Sequence, residues 1–346
     1  MAAATGLAGL TGLTGLTGCN QSPVTQGPAS CPAVCLHGTF YQPLLAHQER
    51  SEEQWRAWMA ELADLGVKRL VLQHVALEPY DVLVPAPGAA WRANPGGAAL
   101  GRILDAALPH AIRVWIGLSY DPRYWSTIDT KETEPVAAYL DARSRRLRGV
   151  ANGLRPATAH ASAAGWYISD EIDDLNWVQP ERARLLERWL VEQTQMLRQA
   201  APALQIAISG FVHSEITAPR ALADQWRRWL DAAPYINEVL LQDGIGAAKT
   251  TLGSWPACLA AVCAAARERG RRCTPVVELF AADSAPGAVL MPAAVARVAR
   301  QMQIAQSASN EVVAFSVPEF VSGAHPQARQ LQAYFLDACR LKAQGC

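Results

Sequence analysis

The chain has 346 residues, of which 50% are hydrophobic and 18% are charged, so it has enough apolar material for a sizeable core and is not of the intrinsically disordered class. Its 31 basic and 31 acidic residues balance, which argues against binding to nucleic acid or to an anionic membrane surface. The length fits one large domain, because single α/β barrels with insertions run past ~250 residues.

The N-terminal segment, residues 1–19, resembles a processed signal. After Met1 it contains only Ala, Gly, Leu and Thr up to Leu16-Thr17-Gly18-Cys19, which resembles a bacterial lipobox, where a cysteine is acylated after cleavage. The segment departs from a secretory signal because the first basic residue of the chain is Arg50. We expect a lipoprotein-type signal with Cys19 as the lipidation site. A low-complexity tail without a function is the alternative.

A lipid on Cys19 would hold a secreted protein at a bacterial membrane, in the periplasm or on the cell surface, without a spanning helix. Residues 20–36 contain three prolines among Ser, Gln and Gly and predict a linker, so that the folded domain would occupy residues 37–346. The seven other cysteines would lie in an oxidising compartment, but their spacing does not establish which of them pair.

From residue 37 onward, short β-rich segments alternate with longer amphipathic ones. The first helix is typical: Ser51 and Gln54 form a capping box, apolar residues follow at helical spacing, and Gly66 ends it. The predicted strands are 37–42, 69–74, 113–118, 165–170, 205–210, 238–242, 274–280 and 312–317. The predicted helices lie near 51–65, 97–110, 132–147, 180–200, 219–232, 254–269, 292–306 and 326–341.

Eight strand and helix pairs in alternation favour the α/β class and a single (β/α)8 TIM barrel. An open doubly wound sheet would show a similar alternation of strands and helices. However, no glycine-rich nucleotide-binding motif follows the first strand, so the open sheet lacks its usual support. In a TIM barrel the active site forms at the C-terminal ends of the strands, and polar residues there are the candidates.

Glu171 is the first candidate for catalysis. It follows the fourth predicted strand, and strand alternation puts it on the face of Tyr167 and Ser169, while Asp170 shares a face with Trp166. Reduced solvation in the barrel mouth would raise the pKa of Glu171 and make it a usable proton donor. The alternative is a solvated helix start, which is the interpretation expected for the next two acidic residues, Asp173 and Asp174.

Glu278 is the second candidate. It is the only charge in the apolar seventh strand, where a carboxylate without partners would cost several kcal/mol. A structural ion pair is the alternative to a catalytic role. Two carboxylates ~5 Å apart support retaining glycoside hydrolysis, whereas a wider separation leaves room for a water molecule and gives inversion.

These segments carry a family resemblance that extends over most of the chain. The sequence is similar to a bacterial family of domains of unknown function that is grouped with the TIM-barrel glycoside hydrolases. The segments concerned are Gly-Thr-Phe-Tyr-Gln-Pro at 38–43, Leu-Gly-Val-Lys-Arg-Leu-Val-Leu-Gln at 65–73, the motif at 165–171, Val-Glu-Leu-Phe at 277–280 and Phe-Ser-Val-Pro-Glu-Phe at 315–320.

The resemblance implies a glycosidase in which Glu171 is the general acid/base and Glu278 the nucleophile, because related enzymes carry these groups at the ends of strands 4 and 7. Asp170 departs from the Asn that precedes the acid/base in such enzymes. The side chains expected to hold the sugar, by stacking or by hydrogen bonds, are Tyr41, Gln42, Gln73, His74, Tyr120, Trp125, Asp170, Gln242, Asp243, Ser316 and Glu319. His213, in the loop after the fifth strand, is expected to be simply exposed.

The leading hypothesis is therefore an O-glycosyl hydrolase that acts on a polysaccharide or oligosaccharide and that is expected to act with retention, as a monomer and without a cofactor. A glycan-binding or polysaccharide-assembly lipoprotein without turnover is the second hypothesis. A metal-dependent barrel hydrolase is disfavoured, because the first strand begins His37-Gly38-Thr39 and lacks a paired-histidine motif.

Overall fold

The computed structural model describes residues 35–282 and 289–344. Within them, eight parallel strands form a closed barrel in which each strand pairs with the next along the chain and the last pairs with the first. The strands are β1 (Gly38–Tyr41), β2 (Arg69–Leu72), β3 (Arg113–Gly117), β4 (Ala163–Ile172), β5 (Gln205–Gly210), β6 (Glu238–Gln242), β7 (Arg272–Glu278) and β8 (Val313–Phe315). The predicted single (β/α)8 TIM barrel is confirmed.

Helices follow the strands in alternation. They are α1 (Glu52–Asp64), α2 (Pro95–Ala107), α3 (Thr133–Leu154), α4 (Pro180–Ala200), α5 (Pro219–Ala232), α6 (Trp255–Glu268), α7 (Val295–Ala308) and α8 (Pro326–Ala343). The capping box of Ser51 and Gln54 is present at the start of α1. Helix α3 continues two turns beyond its predicted end at residue 147, because Val150, Ala151 and Leu154 are buried against the barrel.

The interior of the barrel is a separate apolar cluster to which each strand contributes one side chain. Its members are Phe40, Val71, Trp115, Tyr167, Ala207, Leu240, Val276 and Val313. Side chains alternate along a strand, so residues two or four positions further on also face the interior, at the C-terminal mouth. This rule directs Glu171, Gln242 and Glu278 toward the mouth.

At the opposite end of the barrel, Arg69 forms a buried ion pair with Glu238, whose carboxylate also binds Arg272.

Disulfide bonds join Cys35 to Cys339 and Cys263 to Cys273. The predicted linker 20–36 is two residues too long, because Cys35 is bonded into the domain and Leu36 is buried in its core. Cys19 and the predicted signal lie outside the described residues.

None of the helices within residues 35–282 and 289–344 combines the length and the apolar character needed to cross a bilayer.

Candidate active site

A cleft of about 240 Å³ opens at the C-terminal mouth of the barrel. Six of the predicted site residues line it, namely Gln42, Gln73, His74, Tyr120, Trp125 and Glu171. Leu44, Leu77, Tyr124 and Ser169 complete the lining and were not anticipated from the sequence. The cleft therefore combines aromatic and amide side chains with one carboxylate.

The Glu171 side chain is held by a hydrogen-bond relay across the mouth. The amide of Gln242 donates to Glu171 Oε1 at 2.7 Å and also lies 3.2 Å from the Ser209 hydroxyl, which is bonded in turn to the Tyr167 hydroxyl at 2.6 Å. Burial raises the pKa of the Glu171 carboxyl, while the Gln242 amide and the positive charge of Lys249 oppose that shift. Glu171 is thus oriented, partly desolvated and close to solvent.

Glu278 lies deeper in the mouth, with 4% of its surface exposed. The backbone N–H of Ala247 donates to its Oε2 at 2.8 Å. Burial, followed by repulsion from Asp243, raises the pKa of Glu278 to about 8, and Glu171 adds to the repulsion. Among the described residues neither Glu171 nor Glu278 forms an ion pair with an arginine, so the structural alternative considered for Glu278 lacks a partner.

Gly246 allows the loop after β6 to approach Glu278. A Cβ at this position would lie 2.4 Å from the Phe280 carbonyl oxygen and 2.9 Å from Glu278 Oε2. Any side chain would therefore push the loop away and remove the Ala247 hydrogen bond.

Lys249 is a component of the mouth that the sequence analysis missed. Its Nζ lies 3.1 Å from the centroid of the Phe211 ring and 5.5 Å from that of Trp125. Desolvation lowers the pKa of this lysine, and the charges of Glu171 and Glu278 oppose the shift. The sequence signal that could have identified it is its position as the single basic residue in the loop after β6.

The structure places Asp170 outside the cleft, which corrects its predicted contact with a sugar. Its carboxylate faces the helical layer, where the Arg143 guanidinium of α3 donates to both oxygens at 2.9 Å. Both side chains are almost completely buried. The alternation that sends Glu171 inward sends Asp170 outward, so it cannot replace the asparagine of related glycosidases.

Three further predicted binding residues are also held within the protein. Tyr41 is 1% exposed and its hydroxyl bonds His47 Nδ1 at 2.6 Å, so its ring cannot serve as a stacking surface. Asp243 is fully buried and accepts backbone N–H groups of Ile245 and Glu278. Ser316 is fully buried as well and bonds Glu319, which lines a neighbouring cavity with Tyr41.

Asp173 and Asp174 do not cap a solvated helix, since α4 begins only at Pro180 and both aspartates are buried. Asp174 accepts hydrogen bonds from the backbone N–H of His213 and bonds its ring Nδ1 at 2.8 Å. His213 is therefore oriented and half-buried, contrary to the expectation that it would be simply exposed. In the part of the chain that the structure describes, no cluster of three His, Cys, Asp or Glu residues could hold a metal ion.

Comparison with known proteins identifies relatives over most of the chain. The family model described as "Domain of unknown function (DUF4434)" matches residues 36–330. The uncharacterized protein YbcH of Escherichia coli K12 is 27% identical over 227 residues, which cover 63% of this chain and 68% of that protein.

Among solved structures, a candidate alpha-L-fucosidase from Bacteroides thetaiotaomicron superposes with a TM-score of 0.72 at 16% identity, covering 94% of this chain and 99% of that one. The beta-galactosidase of the psychrophilic Marinomonas ef1 gives a TM-score of 0.55 at 10% identity, covering 89% of this chain and 59% of that one. At such identities the likeness establishes a shared fold.

Proposed function

The chain belongs to the family described as Domain of unknown function (DUF4434), and from that premise we propose that it is a glycoside hydrolase acting on an oligosaccharide or polysaccharide. The observation that carries this proposal is the pair of carboxylates, Glu171 on β4 and Glu278 at the end of β7, at one mouth of a barrel whose fold glycosidases share. Neither carboxylate is neutralised by an arginine in the described part of the chain.

The chemistry would follow the retaining two-carboxylate route. Glu171 donates its proton to the glycosidic oxygen as the C–O bond breaks, and the Glu278 carboxylate attacks the anomeric carbon to give a covalent glycosyl ester. Glu171, now ionised, takes a proton from water. The resulting hydroxide attacks the same carbon, which releases the sugar and regenerates both groups. No cofactor enters this sequence.

Electrostatics of the mouth support these roles. The Gln242 amide fixes the orientation of Glu171, and the Ala247 N–H fixes that of Glu278. The positive charge of Lys249 favours the ionised form of both Glu171 and Glu278. It can therefore stabilise the negative charge that lies on Glu278 before the glycosyl ester forms and on Glu171 afterwards. Burial raises the pKa of Glu171, which favours the protonated form that donates to the glycosidic oxygen.

The pH dependence tests the role of Glu278. Its pKa of about 8 means that the carboxyl is protonated, and unable to attack, at lower pH. With a 2,4-dinitrophenyl glycoside, whose leaving group needs no proton, kcat/KM should therefore rise as pH approaches about 8. Asp243→Asn should shift this rise to lower pH, because it removes the carboxylate that repels Glu278. A rise centred near pH 4 in the wild-type protein would contradict the assignment.

Activity itself is tested by incubating the purified domain with a panel of polysaccharides and measuring reducing ends. Release from at least one polysaccharide is expected, and retention or inversion is then read from the anomer formed first. Binding without release from any member of the panel would favour the second candidate, a glycan-binding surface protein, which the same aromatic cleft supports.

We further propose that the protein is secreted and held at a bacterial membrane through lipid on Cys19. In cells that express the full chain, the wild-type protein should fractionate with membranes and Cys19→Ala should appear in the soluble fraction. Cys31→Ala is the matched control and should remain with membranes. A Cys19→Ala protein that still sediments with membranes contradicts the anchor.

A further inference from the structure

A second cavity of about 210 Å³ lies beside the cleft, and we call it the side cavity. Its lining includes Asp129, Asn176, Phe211, His213 and Lys249. Trp125 lines both the side cavity and the cleft that holds Glu171. One indole ring is thus shared by the two spaces.

Two polar groups of the side cavity have no partner among the described residues. His213 uses its backbone N–H and its Nδ1 to bind the buried Asp174, which leaves Nε2 without a hydrogen bond. The Lys249 ammonium contacts the Phe211 ring but makes no hydrogen bond or ion pair within this part of the chain. Both side chains are held in place: with Nδ1–H donating to Asp174, the neutral His213 ring presents Nε2 as an acceptor for a hydroxyl, and the Lys249 ammonium can donate to an oxygen atom in the cavity.

The side cavity also contains acceptors that are held in place. The Asn176 amide donates to Asp129 at 3.0 Å and to Asp173 at 2.7 Å, and Asp173 further accepts the backbone N–H of Asn176 at 2.8 Å. Each carboxylate keeps free lone pairs. Fixed donors, fixed acceptors and the rings of Trp125 and Phe211 are the groups that bind a hydroxylated sugar ring with little loss of side-chain freedom.

The volumes of the cleft and the side cavity favour one ligand that occupies both. Ligand sites in proteins usually measure ~300–1,000 Å³. The cleft and the side cavity are each smaller than this, at about 240 and 210 Å³, whereas together they fall within the range.

We propose that the side cavity is a sugar-binding subsite and that the substrate is an oligosaccharide of at least two units that passes over Trp125. One unit lies against Glu171 in the cleft, and the next donates hydroxyls to His213 Nε2 and Asp129 and receives a hydrogen bond from Lys249. The inference rests on the proposed glycosidase function. It excludes a single sugar on a small leaving group as the natural substrate.

Calorimetric titration of Glu278→Gln, which cannot turn over substrate, tests the subsite. The probes are the mono-, di- and trisaccharides of the xylose, cellulose and chitin series. In the series that binds, the disaccharide should bind at least tenfold more tightly than the monosaccharide. His213→Ala and Asp129→Ala should each reduce this gain to threefold or less without changing binding of the monosaccharide. Asp129 is exposed, so its replacement keeps the test interpretable if the histidine variant does not fold.

His110→Ala is the matched control, because this histidine precedes β3 at the other end of the barrel, and it should leave the gain unchanged. Equal affinity for mono- and disaccharides would overturn the subsite while leaving the glycosidase proposal intact. If no sugar binds and the wild-type protein releases no reducing ends, the proposed function fails, and the subsite with it.

Discussion

Glu171→Gln and Glu278→Gln should each reduce release of reducing ends by at least ~10²–10⁴-fold, the usual contribution of a positioned acid or base. Glutamine keeps the shape of each side chain and one acceptor oxygen. It removes the transferable proton at Glu171 and the attacking oxygen at Glu278. The measurement is kcat/KM on the polysaccharide that the panel identifies.

The free energy of unfolding of each variant is the control, because it shows whether a loss of activity reflects a loss of folding. The folded state raises the pKa of Glu278 from the ordinary value of 4.5 to about 8, so ionisation of Glu278 destabilises the fold progressively as pH rises between these two values. Glu278→Gln should therefore increase the free energy of unfolding at pH 8, by about 1 kcal/mol or more. Unaltered turnover in a folded variant would end the assignment of that residue.

Arg143→Met should destabilise the protein by about 3–5 kcal/mol, because it leaves the buried Asp170 carboxylate without its ion-pair partner. Arg143 also donates to the backbone carbonyl of Ser119 at 2.8 Å, so a second buried acceptor loses a bond. The free energy of unfolding, measured by urea titration at pH 7, reports the effect.

Arg148→Met on the same helix is the matched control, because Arg148 and its partner Glu192 are both exposed and such a pair contributes only about 0–1 kcal/mol. Asp170→Asn in the Arg143→Met background should recover part of the loss by removing the buried charge. If Arg143→Met costs no more than Arg148→Met, Asp170 is not held in place by this ion pair.

Local patterns were sufficient to predict the barrel, its eight strands and the family resemblance, because apolar alternation and capping are properties of neighbouring residues. The same alternation gave the inward direction of Glu171 and the outward direction of Asp170. It did not give Arg143 as the partner of Asp170, which depends on how α3 packs on the barrel. For this reason the prediction that Asp170 contacts a sugar was wrong.

The remaining differences have a similar cause. Tyr41 ends β1 and Ser316 directly follows β8, but both are buried by later parts of the chain. Tyr41 packs against Trp55 and Trp58 of α1, and Ser316 bonds Glu319, and no local pattern reports such coverage. Asp174 is buried and bonds His213 in the next loop, a contact between distant residues that no local pattern predicts. Lys249 belongs to the mouth because its loop turns back beside Glu278, as the Ala247 hydrogen bond requires.

The bond between Cys35 and Cys339 has a consequence for how the domain could open. The junction of the first and last strands is short, with only Gly38 against Val313 and Thr39 against Ala314 in register. Cys35 precedes β1 and Cys339 lies in α8, which follows β8, so the cross-link spans this seam. While this bond is intact, the segment before β1 and helix α8 remain tethered to each other beside the junction, which limits how far either terminus can fray.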